Sequence, residues 1–403
     1  MRYIADLHVH SRFARATSHD LNVPNLEKWA RVKGLNIMGT GDFTHPTWIK
    51  ELKQELHEEE GILKTKTGFP FVLQGEVSLM YSQGGKGRRV HLVLLAPSFE
   101  VVDRVNDYFL SKGRLDYDGR PIFGVSCVDV VENLKKISDE IEVIPAHAWT
   151  PWFGVFGSAT GFDSMEEAFL DQVKHIHAFE TGMSSDPAMN WRLSKLDKYS
   201  ILSFSDLHSY WPWRIGREST IFDFSELNYQ NLIKAIRTKD GLKGTIEVEP
   251  GYGKYHFDGH RFCKFSCSPE ESKKRNDICP ICGKKITIGV MNRVEKLADR
   301  KEGYKPENAL PFYTLLPLHE LISLILGNAM SSKKVWVEYD NLINKFGNEF
   351  EILMNTPMED LRKVCDEKLA SLILRNRQGK VKVEPGFDGE YGKAVLEEQK
   401  TLF

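Results

Sequence analysis

Across residues 1–225, short apolar runs alternate with amphipathic helical stretches, and most of the apolar runs end in a histidine or a carboxylate. The runs at 3–10, 37–42, 71–76, 90–95, 143–147, 176–180, 201–206 and 219–222 have the length and bounding residues of strands. Helical patterns such as 25–33 and 130–137 fit between them. Such alternation predicts an α/β fold with parallel strands, open or closed into a barrel. The strand ends favour a barrel. His8, His10, Asp42, Glu76, His147, Glu180 and Asp206 all fall there, and α/β barrels gather their chemistry at the carboxyl ends of the strands.

At 403 residues, with 41% hydrophobic content, the chain has room for two or three domains and a real core. No leader-like segment opens it and no apolar run reaches membrane-spanning length. The expectation is a soluble, cytoplasmic protein with no membrane partner. Net charge is -2, but the charge is uneven. Residues 260–301 hold 11 Lys/Arg against 5 Asp/Glu, a bias that suits a phosphate backbone.

The same stretch contains Cys263, Cys267, Cys279 and Cys282, two knuckles eleven residues apart. Four thiolates at this spacing predict one tetrahedral structural zinc, closed to substrate. Cys127 and Cys365 stand alone and read as small core residues. The expected organisation is an α/β domain at 1–235, a four-cysteine zinc-binding module at 236–305, and a mainly helical C-terminal domain at 306–403. A Glu-Pro-Gly-aromatic phrase occurs at 249–252 and again at 384–387, as though two similar turns docked on a common surface.

Four motifs carry the expected chemistry. In Asp6-Leu7-His8-Val9-His10 the histidines share one face of a strand and can reach one cation, with Asp6 as a supporting group. In Asp206-Leu207-His208 the acid and histidine do the same. Glu76 closes a strand where a carboxylate could bridge two cations. His91 opens a strand and His147 closes one. Mixed nitrogen and oxygen ligands suit Zn, Mn or Fe better than Ca. Paired cations suit phosphate-ester hydrolysis.

This ordered set resembles the PHP (polymerase and histidinol phosphatase) superfamily over about 220 residues, a length in the usual single-domain range. The resemblance implies a distorted seven-stranded (βα)7-type barrel. It implies one metal on His8, His10, Glu76 and Asp206, and a second sharing Glu76 with His91 and His147. A third would take His208, a displaced Asp (Asp20 is nearest) and a His shifted to His45. The full chain is similar to the endonuclease Q family, on the phrases Gly39-Thr40-Gly41-Asp42-Phe43-Thr44-His45-Pro46, Pro145-Ala146-His147-Ala148-Trp149 and Glu180-Thr181-Gly182 and the cysteine knuckles. That similarity implies two or three catalytic divalent ions (Zn, Mn or Mg) and one structural Zn. The implied activity is nicking of double- or single-stranded DNA on the 5′ side of uracil, hypoxanthine, xanthine and abasic sites, by a metallophosphoesterase domain at 1–235 with the C-terminal domain at 306–403 in contact with DNA. Trp149, Trp152, Trp211, Arg214 and Arg217, in the loops after His147 and His208, are the expected DNA contacts, because aromatics beside Arg suit unstacked bases. Arg88 and Arg89, in a Gly-rich loop, are within reach of a phosphate. A sliding clamp is conceivable as a further partner, though no motif supports it. The rivals are a small-molecule phosphatase on the same barrel and a non-enzymatic zinc-ribbon DNA-binding protein.

Overall fold

The structure, a computed structural model, describes residues 1–396. Seven strands form a closed ring: β1 (Arg2–Asp6), β2 (Ile37–Gly39), β3 (Pro70–Gln83), β4 (Lys86–Ala96), β5 (Glu142–Pro145), β6 (Ala178–Glu180) and β7 (Ser200–Leu202). β1, β2 and β3 pair in parallel, as do β6 and β7. Beyond β5, Ala148 N–H donates to the Glu180 carbonyl at 2.9 Å. The ring closes where Val9 and Leu207 bridge in parallel and His10 N–H donates to Leu207 O at 3.2 Å.

The barrel is therefore as expected, but not all of its strands are parallel. β3 and β4 form a long antiparallel hairpin, and β4 pairs antiparallel with β5. Only Gly84 and Gly85 separate β3 from β4, both with positive φ, and a two-residue turn has no length for a parallel crossover. Arg88 and Arg89 consequently lie on β4 and not in a loop. Arg88 is spoken for: it pairs with Glu167 at 2.7 Å and stacks over Phe162 at 3.9 Å. The eighth expected strand, β8 (Ser219–Asp223), lies outside the ring against β1, antiparallel, and β9 (Leu242–Glu247) pairs with β8.

Helix Val23–Lys33 shows how these elements are fixed. Asn22 caps its start, Pro24 fits the first turn, and Gly34 ends it at φ 96°. Its Val23, Leu26 and Ala30 turn inward at helical spacing. Downstream, Asp258–His260 and Phe265–Cys267 form a small antiparallel ribbon. The C-terminal part is mainly helical, as expected: helices Leu318–Leu326, Lys333–Phe346 and Glu367–Arg377 bury Leu321, Ile322, Val335, Leu342, Leu369 and Ile373 against one another. Residues 397–403 of that segment lie outside the described residues.

The two Glu-Pro-Gly turns meet each other directly. Gly386 N–H donates to Gly251 O at 2.8 Å, and Gly392 N–H to Tyr252 O at 3.1 Å. A Cβ on Gly392 would collide with the Gly251 carbonyl, so this approach needs glycine. No helix among the described residues is long and apolar enough to cross a membrane.

Candidate metal centre

The strand ends bring the polar residues together at one mouth of the barrel. Asp42, His147 and Asp206 have φ of 43°, 29° and 46°. Non-glycine residues seldom adopt such backbone, and it concentrates at functional sites. Here it belongs to three residues of one cluster.

Ligand-type atoms of His8, His10, Glu76 and Asp206 all lie within 4.8 Å of one another, and so do those of Glu76, His91 and His147. Glu76 belongs to both groups and divides its oxygens between them. Oε2 lies 3.3 Å from His8 Nε2 and 3.1 Å from His10 Nε2. Oε1 lies 2.7 Å from His91 Nδ1 and 3.5 Å from His147 Nε2. Glu76, expected as a bridging carboxylate, thus stands between the two groups.

Three of the histidines are held from behind. His8 Nδ1 meets Glu180 at 3.0 Å, His10 Nδ1 meets Asp42 at 2.9 Å, and His147 Nδ1 meets Thr150 Oγ1 at 2.9 Å. Each partner occupies the far nitrogen and turns Nε2 toward the cluster, the usual arrangement around a metal-bound imidazole. Although other members of the cluster lie close to them, His8 Nε2 and Glu76 Oε1 are buried with no well-formed hydrogen bond to any, which is costly unless a cation meets them. The donor set and these orphaned atoms fit divalent cations with nitrogen and oxygen ligands.

The electrostatics agree. Burial works against ionised Glu76, but Arg120, His91 and His8 outweigh it and hold the carboxyl well below its usual range. Burial likewise opposes a charged His8, yet Glu180, Glu76 and Asp206 hold its imidazole well above its usual value. His91 is the exception, pushed down to about 4 chiefly by burial.

Several expected site residues lie elsewhere. His45 is not in the cluster: its Nδ1 accepts from Trp48 N–H as the cap of helix Pro46–Glu55, and its ring stacks on Phe13 at 4.3 Å. Asp20 is exposed. His208 lies beside the cluster, 4.7 Å from His10 ring to ring, but outside both groups. Asp6 supports a different element. It accepts from Ser205 N–H and Gly216 N–H, each at 3.0 Å, tying the Asp206 turn to β1. Trp149 is buried and donates to Asn190 at 2.8 Å, so it is core and no DNA contact. Arg217 is also buried, donating to the Ser205 carbonyl at 3.1 Å. Trp152 and Trp211 are exposed, as a DNA-contacting role requires, and Arg214 is half-buried over Tyr391.

The cysteine cluster also differs by one member. His260, Cys263, Cys279 and Cys282 have ligand atoms within 4.8 Å of one another, and His260 Nδ1 lies 3.4 Å from Cys282 Sγ. Cys267 is outside that group. It packs with Ile286 and the buried side of Cys279, and burial pushes its thiol up to about 11. A C-x3-C spacing gives no means of choosing between Cys267 and a histidine three residues before Cys263.

Close to the carboxyl ends of β6 and β7, Glu218 and Glu247 are buried together and each has one unpartnered oxygen. Glu247 accepts from Thr181 and Ser203 through its other oxygen. Burial raises Glu218 well above the usual carboxyl value and Glu247 to about 8. A carboxyl raised in the folded state contributes stability below its unfolded value that is lost as pH rises through the folded one. Wild type should therefore lose stability steadily between about pH 4.5 and 8, relative to Glu247→Gln. Urea melts of both proteins across that range check this, and parallel curves would refute it.

Fold and site together define a metal-dependent phosphoesterase domain with two additional segments. Comparison with known proteins narrows the class. Over 99% of its length the chain matches the crystal structure of a lesion-specific endonuclease from Pyrococcus furiosus, covering 96% of that chain at 30% identity and a TM-score of 0.88. A structure of endonuclease Q with a 27-mer duplex, with an abasic lesion at its active site, matches at 30% identity, 99% and 98% coverage and a TM-score of 0.89. The chain belongs to the endonuclease Q family. Residues 317–380 match the family model described as the MJ0043 C-terminal domain. The uncharacterized protein MJ0043 of Methanocaldococcus jannaschii is 35% identical over 63% of this chain, which spans 32% of that protein's length.

Proposed function

We propose that the chain is a metal-dependent DNA repair endonuclease that hydrolyses the phosphodiester on the 5′ side of abasic sites and deaminated bases. The observation that carries this is the pair of metal-competent groups sharing Glu76, in a chain similar along its length to an endonuclease bound to abasic DNA. The proposed ligands are His8, His10, Glu76 and Asp206 for one ion, and Glu76, His91 and His147 for the other. Divalent ions bound there would polarise the phosphate and generate the attacking hydroxide. The residues behind them, Glu180, Asp42 and Thr150, keep the imidazoles aimed.

Trp152 and Trp211, exposed in the loops after His147 and His208, would meet an unstacked nucleotide with their rings. On the cysteine module, Phe262 and Ile281 stand out at 85% and 65% exposure, among exposed Arg261, Lys264, Lys284 and Lys285. Apolar tips in a basic surround suit a DNA duplex, gripped at its backbone and wedged at a base step.

A duplex with one deoxyuridine, deoxyinosine or abasic site, end-labelled and incubated with Mn or Mg, tests the activity. A single chelator-sensitive nick immediately 5′ of the lesion is expected, with the undamaged duplex intact. Hydrolysis of a small phosphate ester without any nick would leave a phosphatase and overturn the repair assignment.

The proposed structural zinc sits on His260, Cys263, Cys279 and Cys282. Replacing His260 with Ala should release one zinc per chain and lower the melting temperature. Replacing Cys267 with Ala should leave the zinc in place. Atomic emission on the purified variants decides this, and zinc lost from the Cys267 variant alone would restore the four-cysteine assignment.

A further inference from the structure

The residues that would complete a third cation site are not assembled at this barrel mouth. His45 caps a helix, Asp20 is exposed, and only His208 remains close. A cationic side chain occupies the neighbourhood instead. Arg120 Nη1 lies 3.1 Å from Glu76 Oε2, and a quarter of the arginine side chain's surface is exposed. Its positive charge also acts on Asp206.

Arg120 is held there by its own segment. Gly119 N–H donates to Phe13 O at 3.0 Å, and Thr44 donates to the Gly119 carbonyl at 3.3 Å. A Cβ at Gly119 would collide with Asp42 Oδ2, so only glycine lets this backbone lie against the carboxylate that orients His10. On one side, buried Asp118 accepts from Arg120 N–H and from Arg15 N–H, each at 3.2 Å. On the other, Ser78 N–H donates to Pro121 O at 3.0 Å. Asp118, Gly119 and Pro121 are thus anchored between them to the segment after β1, the segment after β2, and β3. An arginine carried in merely to balance charge would not need that support.

We propose that Arg120 takes the place of a third metal ion: the barrel binds two cations, and the guanidinium supplies the third positive contact, to a non-bridging oxygen of the scissile phosphate. A planar fork of donors suits a phosphate, and fixed positive charge where negative charge develops lowers the barrier without reorganisation. The proposal rests on the phosphoesterase function proposed above.

The test compares wild type with Arg120→Met and Arg120→Lys. Metal content by atomic emission should be two barrel ions plus one zinc in all three proteins. Arg120→Met should nick abasic duplex at least 100-fold more slowly at saturating DNA, with duplex affinity within threefold of wild type. Its inhibition constant for inorganic phosphate should rise about tenfold or more, as loss of a charge-assisted contact implies. Arg120→Lys should recover part of both. Three barrel ions in wild type, or an Arg120→Met protein that nicks within threefold of wild type, would overturn the proposal. If wild type nicks no lesion but hydrolyses bis(p-nitrophenyl) phosphate, the DNA assignment fails alone, and the same comparison on that ester still decides the role of Arg120.

Discussion

Glu76→Gln is expected to abolish nicking of an abasic duplex while leaving duplex affinity near that of wild type. One oxygen of Glu76 faces His8 and His10, and the other faces His91. An amide keeps the shape but offers one oxygen where two are used, and its NH2 cannot ligate a cation. Both ion sites weaken at once. Losing a residue that only orients a ligand typically costs 10–100-fold in metal affinity or activity, and Glu180→Gln, behind His8, should fall in that interval. Glu76→Gln should exceed it, with a drop of about 1,000-fold or more, since electrostatic stabilisation of phosphoryl chemistry is the main effect at stake. Single-turnover rates with Mn, together with metal counts for each variant, give the order. Glu76→Gln retaining activity within tenfold of wild type would exclude it as the bridge.

The metal centre was largely readable because its signal is periodic and local. An apolar run followed by His or Asp marks a strand end, and a barrel brings strand ends together whatever lies between. His8, His10, Glu76, His147 and Asp206 stand at such ends, His91 instead opens its strand, and the structure gathers all six into two groups. His45 misled because Thr-His-Pro fits a shifted ligand, yet a polar residue before a proline is also a helix start, and that is what it forms. Trp149 and Arg217 were grouped with their loop neighbours, but burial is decided by packing partners, Asn190 and the Ser205 carbonyl, that are distant or unmarked in the chain. Arg120 has no motif at all. Its place depends on Gly119 against Asp42 and Pro121 against Ser78, contacts across 77 and 43 positions that no spacing rule connects. The β3–β4 hairpin, by contrast, was announced by Gly84-Gly85, a two-residue turn signal that should have ruled out a parallel connection.

The second large effect is expected far from the metals, at Glu349→Ala. Lys33 ends helix Val23–Lys33 of the barrel and is 1% exposed; Glu349, in the C-terminal helical segment, is fully buried. Lys33 Nζ lies 2.7 Å from Glu349 Oε1 and 2.9 Å from the Pro212 carbonyl. Glu349 also accepts from Leu318 N–H at 3.0 Å and from the Tyr339 hydroxyl at 2.9 Å. A pair this well bonded need not stabilise more than an apolar one of the same volume, but removing one partner strands the other charge in the interior, which costs about 3–5 kcal/mol. Glu349→Ala should lose that much in urea denaturation followed by tryptophan fluorescence, which senses Trp213 and Trp336 beside His319 at this junction. The paired change Lys33→Met with Glu349→Leu should recover most of it, because no charge is left unpaired. Pro212 adjoins Trp211 in the loop that follows His208, so the single variant should also bind abasic duplex more weakly, and the double variant should regain affinity only in so far as the loop is held by packing. Equal stability of Glu349→Ala and wild type would mean that water reaches Lys33 and that the helical segment is joined to the barrel by its apolar contacts alone.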